Sequence, residues 1–310
     1  MTAQNKGLVS LHTAMAVCSV AIRVARRGKR TSKLVQDLDM SRRSMYMSSL
    51  EGLVGDSIDP EVMSDIDELG LGRRKRALTA RAATSHRSNA CVSSLVGTVL
   101  SSRDPLPALP CDQLEVALVG RSNAGKSSLF NALTGEKGHR GRASVSAVPG
   151  WTSSMHFYEL REHAYEKPLM TLVDLPGYGP AATKDTTRMG WLRAARRYLR
   201  DREQLACAFW AVDASLGLTI DDERFLDVLD GAAVEYHCIL TKTDLLTPRE
   251  LAQSYALIHR KVSHRVGYAG GDMPMCSSRN AAGIASLWHR MRLGVLHVHR
   301  QRPNNVVNAS

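Results

Sequence analysis

Residues Gly120 to Ser128 read GRSNAGKSS. They stand between an apolar run of strand type, EVALV (Glu115 to Val119), and a helix-forming run, LFNAL (Phe130 lies within it, Leu129 to Leu133). This satisfies G-x-x-x-x-G-K-[ST] in the context its chemistry requires, a strand before and a helix after. Gly120 and Gly125 let the backbone curl so that successive N–H groups face an anion, and the helix N-terminus adds partial positive charge. Asn123, Ala124, Gly125, Lys126, Ser127 and Ser128 are therefore read as phosphate contacts. Lys126 sets an ammonium against the β and γ phosphates, and the Ser127 hydroxyl is the expected Mg²⁺ ligand. Kinases and ATPases share this cradle, so it leaves the base open.

The elements around the motif agree with an α/β fold. Strand-like runs at Phe157–Leu160, Met170–Val173, Cys207–Val212, Val234–Leu240 and Met273–Cys276 alternate with helical patterns at Arg188–Gln204, Glu223–Leu229, Pro248–Arg260 and Ile284–Leu296. Such alternation predicts a mostly parallel sheet with helices on both faces, the arrangement of P-loop nucleotide-binding domains.

Two further motifs bear on the γ-phosphate. Asp174 to Gly177 reads DLPG directly after the apolar run MTLV, so a strand delivers Asp174 to the sheet edge where ligands of such folds sit. Asp174 is expected to hold Mg²⁺ through water and the Gly177 amide to bond the γ-phosphate. Between the two motifs stand Pro149, Gly150, Trp151 and Thr152. Thr152 is the candidate second hydroxyl on Mg²⁺, with Ser144 and Ser146 as competitors, in a loop that orders when the γ-phosphate is bound. Lys126, Thr152 and Gly177 are the groups expected to act on the transferred phosphate.

The base is read further on. Thr241, Lys242, Thr243 and Asp244 give TKTD at the end of a strand. The Asp244 carboxylate can accept from both N1–H and the exocyclic amine of guanine; adenine offers the wrong pattern and leaves a buried acceptor unpaired, at about 1–3 kcal/mol. Lys242 lays its stem along the base, and the amides of Cys276, Ser277 and Ser278 are candidates for guanine O6.

These residues carry a family resemblance. LEVALVGRSNAGKSSLFNALTG (Leu114 to Gly135), PGWT (Pro149 to Thr152), HFYEL (His156 to Leu160), DLPGYG (Asp174 to Gly179), TKTDLL (Thr241 to Leu246) and CSSRNAAGI (Cys276 to Ile284) together resemble the EngB (YihA/YsxC) GTPases. The resemblance spans about Leu106 to Leu296. It implies a GTP-hydrolysing switch in assembly of the large ribosomal subunit, with rRNA, ribosomal proteins and other assembly factors as partners. The alternative is a nucleotide-dependent ribosome-binding scaffold with little hydrolysis; a role on tRNA or at a membrane is weakened by the lack of an extra catalytic domain. Tyr178 follows DLPG where Ras-like enzymes carry a water-orienting Gln, so slow intrinsic hydrolysis is expected. Asn123 stands where potassium-dependent relatives have an asparagine, which suggests a bound K⁺. Trp151 departs from the family, which usually has a charged residue there.

The rest of the chain sets location and partners. The 310 residues carry a formal charge of +11, a balance that favours polyanionic partners. Residues 1–36 hold Lys6, Arg23, Arg26, Arg27, Lys29, Arg30 and Lys33 with no acid, and Leu8, Leu11, Met15, Cys18, Ile22 and Ala25 recur at helical spacing. This is the pattern of an organelle transit peptide and predicts a mitochondrial protein; a basic tail on a cytoplasmic protein is the alternative. No stable membrane insertion is expected, because the uncharged apolar run is too short. Residues 37–105 read as an irregular basic and polar extension, with Arg73 to Arg76 either a solvated run or an RNA-tracking arm. The prolines of DPLPALP (Asp104 to Pro110) mark the start of the GTPase domain, 106–300, and 301–310 reads as a disordered tail. Arg193, Arg196, Arg197 and Arg200 either face rRNA or form a solvated helix face. Six cysteines without a CxxC pair indicate a reducing compartment.

Overall fold

A computed structural model describes residues 31–51, 58–72, 91–100, 103–110, 112–135, 154–163, 166–179 and 185–301. Most of the transit segment, the Arg73–Arg76 cluster, the loop bearing Gly150 and Thr152, and the tail beyond residue 301 lie outside the described residues.

The core is a six-stranded sheet. Its strands are β1 (Val92–Val99), β2 (Glu115–Gly120), β3 (Met155–Arg161), β4 (Met170–Asp174), β5 (Leu205–Asp213) and β6 (Tyr236–Thr241), in the order β1-β3-β4-β2-β5-β6. The pairs β2–β4, β2–β5 and β5–β6 are parallel; β1–β3 and β3–β4 are antiparallel. β2 and β5 are apolar and buried along almost their whole length, as strands covered on both faces must be. The expected strand at Met273–Cys276 shrinks to a single bridge, Leu240 with Met275. Pro274 offers a carbonyl to Leu240 but has no N–H with which to extend the ladder.

Alternate residues of each strand feed opposite faces. Val116, Leu118, Leu172, Phe209 and Ile239 pack with α3 (Lys126–Leu133) and α7 (Ile284–Gln301), through Leu129, Phe130, Leu287, Trp288 and Met291. Ala117, Val119, Val173, Trp210 and Leu240 pack on the other side. There they meet α4 (Asp185–Asp201), α5 (Ile220–Gly231) and α6 (Pro248–Val262), through Tyr198, Phe225, Leu226, Leu251 and Ile258. The capping boxes Thr219/Asp222 and Thr247/Glu250 fix where α5 and α6 begin.

The stretch 37–105 is not irregular throughout, which corrects the expectation. α1 (Thr31–Glu51), α2 (Pro60–Glu68) and β1 all fall within or across it. α1 escaped notice because its inward stripe is mainly polar, Asp39, Arg43 and Tyr46, with Leu50 at its end. α2 is short, but Asp59 caps it, Pro60 opens it, and Val62 and Ile66 turn into the core. β1 forms the sheet edge against β3 and is bulged between Leu95 and Gly97. Gly97 lies under Pro107: a Cβ there would sit 2.4 Å from the proline ring. DPLPALP therefore joins two strands of one domain and does not mark its beginning.

Candidate nucleotide site

β2 lies mid-sheet, between β4 and β5, and three loops leave the C-terminal edge of the sheet, two from neighbouring strands and the third from β6, beyond β5. The phosphate loop follows β2, DLPG follows β4, and TKTD follows β6. Crevices at such edges are where open α/β sheets take ligands.

In the phosphate loop the glycines are obligatory. A Cβ on Gly120 (φ 154°) would lie 2.6 Å from the Ala211 carbonyl oxygen, and Gly125 holds φ 93° at the start of α3. Asn123 also sits in the left-handed region, φ 66°. With Gly125 as N-cap there is no side-chain cap, so the first turn of α3 keeps its amides for an anion. The Ala124 amide is an exception: it donates to the Arg121 carbonyl at 3.0 Å, so Ala124 does not present its N–H to a phosphate. Ser127 and Ser128 are half-buried on the first turn of α3.

Lys126 is buried, and its Nζ donates to the carbonyls of Gly120 (2.9 Å) and Arg121 (3.2 Å). Burial lowers its pKa; the Asp174 carboxylate works the other way. Asp174 is itself buried, which pushes its carboxyl up to about 6, Lys126 opposing. Its Oδ1 is buried with no hydrogen-bond partner. An orphaned carboxylate oxygen at the end of β4 and the Ser127 hydroxyl on the first turn of α3 are oxygen donors of the kind that suit a hard divalent cation such as Mg²⁺.

DLPG is laced to the phosphate loop by backbone. Ser122 N–H donates to the Tyr178 carbonyl (2.8 Å), and Ser122 Oγ to the Gly177 carbonyl (3.3 Å). A Cβ on Gly177 would fall 2.8 Å from Ser122 N and Cα. Tyr178, the residue in the water-orienting position, turns into the core. Its hydroxyl donates to Asp222 Oδ1 at 2.7 Å, accepts from Trp210 Nε1 at 2.6 Å, and its ring stacks on Phe225. Burial, then the Asp222 charge, raises the phenol well above its usual range. Asp222 also caps α5 with its other oxygen, so this latch ties DLPG to a helix start. Sequence reasoning missed it, because Asp222 stands 44 residues away, outside every motif.

The guanine end is held by side chains. Thr241 Oγ1 shares its one proton between the carbonyls of Ala124 (2.6 Å) and Val212 (3.0 Å), which ties β6 to the phosphate loop and commits the hydroxyl away from any base. Lys242, at φ 56°, pairs with Asp213 Oδ2 at 2.8 Å. Asp213 is the second residue that sequence reasoning missed; it ends a strand that carries no motif. Ser277 Oγ donates to Asp244 Oδ1 at 2.6 Å, and Arg279 Nη1 lies 4.0 Å from Oδ2. The expectation for the last loop is narrowed: the amide of Cys276 donates to Leu240 O and that of Ser277 to Ala282 O. Ser278, half-buried, follows them. Thus Gly120, Asn123, Gly125, Lys126, Ser127, Asp174, Gly177, Lys242 and Asp244 converge on one edge. Gly150 and Thr152 lie outside the described residues.

Comparison with known proteins points the same way. Residues 115–242 match a family model described as 50S ribosome-binding GTPase. A "Probable GTP-binding protein EngB" of Hyphomonas neptunium is 38% identical over 179 residues, covering 57% of this chain and 78% of that protein. That of Rhodospirillum rubrum is 40% identical over 184 residues, covering 59% and 76%. A crystal structure of a probable GTP-binding protein engB covers 61% of this chain and 100% of its own, at 18% identity and a TM-score of 0.44.

Proposed function

We infer the function from a premise that these relatives establish: the chain belongs to the EngB family of GTP-binding proteins, and it is a GTPase. Our reading is that it serves as a GTP-dependent switch in assembly of a large ribosomal subunit. GTP permits docking on an immature particle that contains rRNA and ribosomal proteins, and hydrolysis permits release. The observation that carries the nucleotide part is the lacing of phosphate loop, DLPG and TKTD into one edge, through Thr241 to Ala124 and Ser122 to Tyr178.

In this reading Lys126 neutralises the β and γ phosphates, and the Gly125, Ser127 and Ser128 amides line the cradle. Asp244 accepts from guanine N1–H and the amine, with Ser277 fixing its orientation. Lys242, steered by Asp213, covers the base, and the Ser278 amide takes O6. Ser127 and Asp174 would hold Mg²⁺, which would shield the phosphate charge, and Thr152 would join them when the γ-phosphate is present, with Gly150 as a further contact to the nucleotide. Gly177 offers its amide to that phosphate. A K⁺ held beside Asn123 would supply the positive charge that an arginine finger gives elsewhere. Exposed Arg193, Arg196, Arg197 and Arg200 on α4 support the RNA-facing part. The acid-free, amphipathic residues 1–36 support a mitochondrial address.

One observation favours the scaffold reading in part. Tyr178 is committed to Asp222 and Trp210, so the residue after DLPG orients no water and intrinsic turnover is slow. Co-sedimentation with large-subunit precursors separates the readings. The switch requires binding with a non-hydrolysable GTP analogue and release with GDP. Equal binding in both states, or none, sinks it.

A further inference from the structure

α1 touches both ends of the nucleotide site with one face. Residues 39, 43, 46 and 50 recur at helical spacing, so they form one stripe. Asp39 Oδ1 lies 3.3 Å from Arg121 Nη1, with Arg42 at 4.0 Å from the same oxygen. Arg121 is the second residue of the phosphate loop, buried, and its carbonyl accepts from both Ala124 N and Lys126 Nζ. One turn on, Arg43 Nη2 donates to the Leu245 carbonyl at 2.8 Å, directly after Asp244. A turn further, Tyr46 OH donates to Ser254 Oγ at 3.0 Å, and its ring covers Gly217, where a Cβ would lie 2.3 Å away. Ser254 Oγ in turn donates to Ala214 O, next to Asp213, the partner of Lys242. Leu50 closes the stripe, fully buried.

We propose that α1 is a brace of the nucleotide site, in which Asp39 and Arg43 are positioning residues that hold the phosphate loop and the guanine loop at a fixed separation. The inference rests on the GTP-binding reading above. A nucleoside triphosphate spans these two loops, and its departure needs them to part. A helix bonded to both, and seated through Tyr46 and Leu50, resists that parting. By linkage, whatever α1 does for the nucleotide the nucleotide does for α1, by the same factor. The affinity for GDP and the docking of the N-terminal helix are then coupled, and since affinity changes fall mostly on the off-rate, a partner that draws α1 away discharges the nucleotide.

The full chain, loaded with a fluorescent GDP analogue, tests this in three readings. Wild-type protein that retains no analogue sinks the GTPase reading itself; the brace is judged on protein that does. The double variant Asp39→Asn/Arg43→Met is expected to release the analogue about fivefold faster, the scale of two partly exposed polar ties, and Arg43→Lys, which keeps a donor for the Leu245 carbonyl, to release it more slowly than Arg43→Met, which has none. In wild type, hydrogen exchange over residues 31–51 is expected to slow when GDP binds. An unchanged release rate in the double variant overturns the brace, since a merely structural helix would lower melting temperature and leave release alone. Exchange in 31–51 that is indifferent to GDP overturns it independently of any variant.

Discussion

At the phosphate end of the site geometry is set by what is missing, at the guanine end by what is present. Gly120, Gly125 and Gly177 stand where a Cβ would strike backbone or the φ angle excludes other residues, so loop meets loop directly. Around TKTD the same task falls to side chains: Thr241 on Ala124, Asp213 on Lys242, Ser277 on Asp244. The charges differ too. Lys126 and Asp174 are buried and mutually perturbed, a costly arrangement in the absence of compensating charge. Lys242 is a third exposed and already paired. The phosphate end is rigid and electrostatically poised; the guanine end is adjustable and satisfied. The first should fail abruptly on substitution, and the second by degrees.

Gly177→Ala tests the abrupt side. The added methyl must displace Ser122 or DLPG, and hydrolysis is expected to fall about 10²–10³-fold, the scale of one lost oxyanion donor, while GDP affinity changes little. Single-turnover rates and GDP titration read the two separately. A fall of less than a few-fold would mean that this contact is soft.

Asp244→Asn tests the graded side by changing the ligand. GTP should weaken about 10²-fold, and xanthosine triphosphate, which carries a carbonyl in place of the guanine amine, should gain at its expense. Loss of both nucleotides would show that Asp244 holds the loop and does not read the base.

How much of this was legible in the sequence follows the same division. The glycines and Lys126 announce themselves because backbone geometry forces them into a fixed local spacing. The strands are legible because burial on both faces makes them continuous apolar runs. Asp213, Asp222 and the pairing of Ser277 with Asp244 are not legible, since each acts across 29 to 44 residues through a single polar contact. α1 is hidden for another reason: periodicity is normally sought in apolar residues, and here Asp39, Arg43 and Tyr46 carry it. β1 was hidden by Ser93, Ser94 and Gly97, which dilute a strand that needs only one covered face at the edge of the sheet. Motif position alone gives the amides of Ala124, Cys276 and Ser277 to the ligand, but backbone pairing claims them first.

A smaller effect is expected at Asp213. Asp213→Asn keeps one acceptor oxygen, which Ser215 takes, and removes both the charge and the oxygen that pairs with Lys242, so guanine affinity should drop about tenfold or less with hydrolysis per bound GTP unaltered. A loss as large as that of Asp244→Asn would erase the distinction between the two ends.

The least effect is one of pH. The Asp174 carboxyl, raised from 3.8 to about 6, keeps its proton in the folded protein where the unfolded chain has lost it. Its contribution to stability is therefore full below about 3.8 and is lost as pH rises through about 6. Mg²⁺ needs the carboxylate, so metal affinity in the GDP complex should tighten with pH by up to about tenfold per unit below that point and level off above it. Magnesium titrations across this range check both signs, with melting curves of the ligand-free chain alongside.

The central claim is that Lys126 and Asp244 act at opposite ends of one pocket on one nucleotide. Calorimetric titration of the full-length chain with GTP and with ATP, in magnesium buffer, tests it most directly. The account predicts a single saturable site for GTP and binding of ATP weaker by about 10²-fold or more. Equal affinities for the two purines, or no heat with either, would contradict it.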